Sequence, residues 1–148
     1  MDHQNFNIDP EFFNLCFQLG RFETSHLLLM NNSALPWFVL VPETDEVELC
    51  DLGPTVHEQI FNEVRGMSLF VKRHFPVDKI NVACNGNVIR QMHLHVVGRR
   101  FDDYCWPQVV WGTATPSTYD ESAVAEMSEM LRNDALLRDG GYGGYRGD

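Results

Sequence analysis

Two histidines stand one residue apart in the run Gln91-Met92-His93-Leu94-His95-Val96. A strand turns successive side chains to opposite faces. Met92, Leu94 and Val96 would then share an apolar face. Gln91, His93 and His95 would share the other, roughly 6–7 Å apart along the strand. Three readings fit this row. The histidines could sit half-exposed on an open sheet face and do no chemistry. They could supply two metal ligands, which need a third, and no second His pair or HExxH motif occurs in the chain. They could act as imidazole nucleophile or acid–base groups.

The surrounding charge favours the last. Residues 79–101 contain no Asp or Glu, but hold Lys79, Arg90, Arg99 and Arg100. Asn85-Gly86-Asn87 directly precedes the histidine run. Exposed backbone N–H groups and Asn amides in such a loop suit phosphate oxygens. A metal cation would call for carboxylates instead. The pattern therefore points to phosphate chemistry.

The elements that must position these residues follow from patterning. Asp9-Pro10-Glu11 has the form of a helix N-terminus, and Gly20 that of a stop. A short helix is expected over 9–19, burying Phe12, Phe13, Cys16 and Phe17. Residues 25–31 and 37–42 are apolar runs separated by a polar, Pro-containing turn, so they predict paired strands. Their continuous hydrophobicity implies burial on both faces. Five acids in 43–51 predict a solvated loop. Thr55-Val56-His57-Glu58 has capping-box form, and Ile60, Val64, Met67 and Val71 recur at helical spacing. The main helix is expected over 55–74, stopped before Pro76. Strands are expected over 79–84 and 88–97, irregular structure through the Trp- and Pro-rich stretch 105–112, and a C-terminal helix over 120–136. The Gly-rich residues 139–148 predict a flexible tail behind a single domain over 1–138.

At 148 residues the chain can bury a core without disulfide or metal staples. Its net charge of −10 argues against wrapping duplex nucleic acid or binding an anionic membrane. The four cysteines form no CxxC, and no basic, apolar leader precedes the domain, so reduced thiols and a cytoplasmic location are expected. No apolar run is long enough to span a bilayer.

The run from Gln91 to Val97 resembles the signature of the histidine triad (HIT) superfamily, His-φ-His-φ-His-φ-φ with φ apolar. Gln91 stands in the first position. The likeness extends through Lys79, Asn81-Val82-Ala83, Gly86-Asn87, Arg99, Trp106-Pro107 and Val110-Trp111-Gly112, a pattern similar to a bacterial branch of the family. It covers about residues 10–135.

The resemblance implies an α+β HIT-like fold with a five-stranded antiparallel sheet, one long helix and a C-terminal helix, usually as a homodimer. It also implies a nucleotide hydrolase or transferase, acting at the α-phosphate of dinucleoside polyphosphates or nucleoside phosphoramidates. By motif position His93 is the nucleophile and His95 meets phosphate oxygens or assists the leaving group. Asn85, Gly86 and Asn87 fall in the phosphate-binding loop. Asn31 sits where the family places a ribose-contacting Asp or Asn, with Asn32 adjacent. For each Asn a plain turn role is the alternative. No resident cofactor or metal is implied, and the substrate would arrive as its magnesium complex. There are two departures. Gln91 replaces a histidine that orients the site, and Trp37-Phe38 stands where the family often has Gly-His. These leave open a non-catalytic nucleotide-binding module.

Overall fold

The computed structural model describes residues 5–145. Its elements in chain order are β1 (Cys16–Arg21), β2 (Ser25–Met30), β3 (Trp37–Pro42), α1 (Pro54–His74), β4 (Lys79–Ala83), β5 (Leu94–Arg99), α2 (Glu121–Asn133) and α3 (Ala135–Asp139). The strands form one antiparallel sheet in the order β1-β2-β3-β5-β4. This is the expected α+β architecture. Among the described residues no helix is long and apolar enough to cross a membrane.

β3 and β5 lie inside the sheet, and every residue of each is buried. Their continuous apolar character follows from cover on both faces. On one face Leu27, Leu29, Phe38, Leu40, Leu94 and Val96 meet the α1 residues Ile60, Val64, Met67, Phe70 and Val71. Each such burial contributes roughly 1.5–3 kcal/mol relative to exposure. Gly98 on β5 permits the close approach. A Cβ there would lie 2.7 Å from Pro36 Cγ and 2.8 Å from Val71 Cγ1. On the other face Trp37, Val39, Val41 and Val97 pack against Phe12, Ile89 and Val110. The candidate site residues His93 and His95 lie on this second face.

Several expectations change. The helix over 9–19 does not form. Pro10–Asn14 make a single 3₁₀ turn, capped by Asp9, whose carboxylate accepts from the Glu11 N–H. The chain then extends into β1, because residues 16–21 gain a ladder with β2. Local helix signals are weak beside that pairing. Phe12 and Cys16 are buried as expected, but Phe13 is exposed. The capping box at Thr55 is unused, since α1 starts a residue earlier with Pro54 following Gly53. The strand expected over 88–97 starts only at Leu94 and runs on through Gly98 to Arg99. Ahead of it the chain is irregular, sending Ile89 into one core and Met92 into the other. The C-terminal helix is divided at Asp134, which caps α3 and pairs with Arg73 and His74.

The predicted flexible tail is packed as far as the structure describes it. Tyr142 is buried, Gly143 bridges to Arg21, and the Tyr145 hydroxyl contacts His26 Nδ1 at 2.6 Å. Residues 146–148 lie outside the described residues. All four cysteines are unpaired.

Candidate active site

The site is built where β3 and β5 run side by side. Val39 pairs with His95, and Trp37 lies two residues along β3. The Trp37 indole Nε1–H donates to His95 Nδ1 at 3.0 Å. An indole nitrogen can only donate. His95 Nδ1 therefore carries a lone pair, and the neutral ring holds its proton on Nε2.

His93 has the opposite tautomer. Its Nδ1 lies 2.8 Å from the Gln91 carbonyl oxygen. That oxygen can only accept, so the proton sits on Nδ1. The in-plane pair on Nε2 is left for another partner. The two rings are 5.0 Å apart at 72°, closer than a straight strand would put them. Adjacent side chains thus present one bare nitrogen and one N–H.

Burial reinforces both neutral states. It pushes His93 below its ordinary 6.5, against the Gln91 carbonyl, which raises it. Burial, then the neighbouring His93, pushes His95 down to about 3. Phe12 meets the His93 ring edge-on at 4.8 Å, and Trp111 lies 5.3 Å from His95.

Both histidines line a cavity of about 690 Å³, in the range of small-molecule sites. Its walls include Leu15, Val39, Ile89 and Trp111. A smaller cavity of about 400 Å³ adjoins it, with Glu48 and Arg90 in its wall. His93 and the loop Asn85-Gly86-Asn87 line both, so His93 stands at their junction. Gly86 has φ +66°, a left-handed turn that favours glycine.

Three sequence expectations are redistributed. Asn31 does not line the cavity, because its side-chain oxygen accepts from the Tyr119 N–H at 2.9 Å. Asn32 lines it instead, its amide donating to the Tyr104 hydroxyl. Gln91 lines neither cavity, and its carboxamide turns to residues 7 and 9. Of the four cations in 79–101, only Arg90 lines either of these two cavities. Arg99 is buried in a two-pronged pair with Asp103 and also bonds Asn81 and the Gln108 carbonyl. Burial alone would push Asp103 up, but hydrogen bonds from Arg99 and the Arg100 and Cys105 amides hold it near 2. That pair is structural. Phe12, Trp37 and Trp111 also line the larger cavity, although no motif marks them as site residues. The aromatic density around 105–112 and the Trp at 37 were the available signals.

Among the described residues no group of three or more His, Cys, Asp or Glu side chains is placed to hold a metal ion.

A compact α+β sheet carrying a paired-imidazole cavity defines the class of protein, and comparison with known proteins names the family. The HIT domain family matches residues 14–102. The chain belongs to the histidine triad family, whose members generally bind nucleotides. A crystal structure of a histidine triad protein from Marinobacter aquaeolei VT8 is 31% identical, with a TM-score of 0.83, covering 90% of this chain and 97% of that one. One from Bradyrhizobium japonicum is 30% identical, with a TM-score of 0.81, covering 86% and 96%. One from Sinorhizobium meliloti 1021 is 28% identical, with a TM-score of 0.82, covering 85% and 94%. No curated protein sequence matches.

Proposed function

We propose that the chain hydrolyses or transfers nucleotidyl groups, acting at the α-phosphate of dinucleoside polyphosphates or nucleoside phosphoramidates. The observation that carries this is the opposed tautomers of His93 and His95 at the junction of two cavities.

His93 Nε2 attacks phosphorus with its free pair. The N–P bond forms as the bond from phosphorus to the leaving group breaks, a polyphosphate departing as its anion and an amine taking a proton from solvent. The resulting imidazolium keeps its Nδ1–H on the Gln91 carbonyl. His95 stays neutral and donates its Nε2–H to a non-bridging oxygen, stabilising charge without giving up the proton. The Asn85-Gly86-Asn87 loop and Arg90 supply further donors to phosphate oxygens. Water then displaces the imidazole, its oxygen bonding to phosphorus as the N–P bond breaks and its proton passing to solvent, which releases a mononucleotide and restores the bare nitrogen. The apolar walls of the larger cavity take the nucleoside, with Asn32 rather than Asn31 meeting the ribose. The family's homodimer and a cytoplasmic location belong to the same proposal, and light scattering tests the dimer.

The experiment is incubation with diadenosine tetraphosphate and adenosine 5′-phosphoramidate. The parent chain should release mononucleotide from at least one, and His93→Ala should lower turnover by about 10⁴-fold. Tight AMP binding with no turnover of either compound would instead select the non-catalytic module.

A further inference from the structure

The Gln91 side chain makes two hydrogen bonds to a segment more than eighty residues away in sequence. Its Oε1 accepts from the Asp9 N–H at 2.8 Å, and its Nε2 donates to the Asn7 carbonyl at 2.9 Å. In an extended segment the carbonyl of one residue and the N–H two residues on face the same side. A carboxamide carries an acceptor and a donor on one carbon, directed the same way, so it pairs with that edge as a strand would. A neutral imidazole also has one donor and one acceptor, but on opposite flanks of its ring.

What this pairing fastens reaches the site. Asp9 caps the turn Pro10–Asn14. Phe12 on that turn packs edge-on against His93, and both Phe12 and Leu15 line the larger cavity. The backbone carbonyl of Gln91 meanwhile holds the His93 proton on Nδ1. One residue thus faces His93 with its backbone and the wall beside His93 with its side chain.

We propose that Gln91 is a positioning residue, whose carboxamide latches residues 7–9 so that Phe12 and Leu15 wall the nucleotide cavity. The ligand it serves rests on the function proposed above, whereas the latch rests on the hydrogen bonds alone.

The test measures backbone hydrogen exchange and AMP affinity together in the full chain. In Gln91→Ala, exchange at Asp9 should rise about tenfold, the worth of one hydrogen bond, while α1 stays protected. AMP affinity should fall by about three- to tenfold as the walled state is depopulated. Gln91→Glu supplies a second arm. Its carboxylate cannot donate to Asn7 at pH 8, but the protonated acid at pH 4 can. Its carboxylate keeps the bond from the Asp9 N–H but sets a bare oxygen against the Asn7 carbonyl, so relative to the parent at each pH exchange across residues 7–9 should be raised and AMP affinity lowered at pH 8, both recovering at pH 4. Unchanged Asp9 exchange in Gln91→Ala overturns the latch. Faster exchange with unaltered AMP affinity overturns its role as a cavity wall. Equal looseness of Gln91→Glu at both pH values overturns the amide pairing. If the parent chain fails to bind AMP, the nucleotide reading falls, and the exchange arms decide the latch by themselves.

Discussion

Trp37 Nε1 sits 3.0 Å from His95 Nδ1, joining neighbouring strands through their side chains. Protonating His95 on Nδ1 would turn two N–H groups against each other. Trp37 therefore holds His95 neutral by geometry, and burial acts in the same direction. The tautomer of one imidazole is set from β3, and that of the other by a carbonyl two residues before it.

Trp37→Phe keeps an aromatic ring but removes the donor. His95 can then exchange tautomers or accept a second proton. We expect kcat/KM to fall by about tenfold, the order of one lost hydrogen bond. Nitrogen-15 NMR of the imidazoles should show His95 losing its single Nε2–H form. An unaltered tautomer and rate would mean that Trp37 only fills space.

The pH dependence follows from the neutral states. Under the proposed mechanism His93 attacks only when Nε2 is bare, and burial lowers its pKa from 6.5. The acid limb of kcat/KM, which reports the free enzyme, should have its midpoint below 6.5. A midpoint at or above that value would contradict a desolvated nucleophile.

Glu63 on α1 gives a stability prediction outside the site. Its Oε1 accepts from the Thr24 and Ser25 N–H groups, pinning the β1–β2 turn, and the Ser25 hydroxyl lies beside the same buried carboxyl. Burial raises this carboxyl from 4.5 to about 7, against the turn amides. Between those values the folded chain binds more protons than the unfolded one. Its contribution is thus fully present below 4.5 and lost as pH rises through about 7. Glu63→Gln avoids ionisation and can donate to Ser25. It should stabilise the fold by about 1–3 kcal/mol at pH 8, and the gain should vanish near pH 4. Chemical denaturation at the two pH values measures this, and a gain independent of pH would contradict it.

The elements legible in the sequence were those with strong periodicity or continuous burial. Ile60, Val64, Met67 and Val71 marked α1, and the run at 37–42 marked the central strand. His93 and His95 were legible because alternation with Met92, Leu94 and Val96 fixed their face. The helix at 9–19 misled because Asp9 and Pro10 signal a turn without specifying its length, and pairing with β2 decided the rest. Net charge along the chain also misled. Arg99 counts as a cation in sequence, yet its burial with Asp103 removes it from the site. Asn31 and Asn32 differ by one residue, and only the turn after β2 determines which enters the cavity.

The proposed mechanism requires that His93 Nε2 become bonded to phosphorus. The most direct measurement is rapid alkaline quench of the parent chain turning over diadenosine tetraphosphate, followed by mass spectrometry of the peptide containing His93. An AMP adduct on His93 should form and decay within turnover and be absent from His93→Ala. Turnover without any such adduct, or activity surviving in His93→Ala, would contradict it.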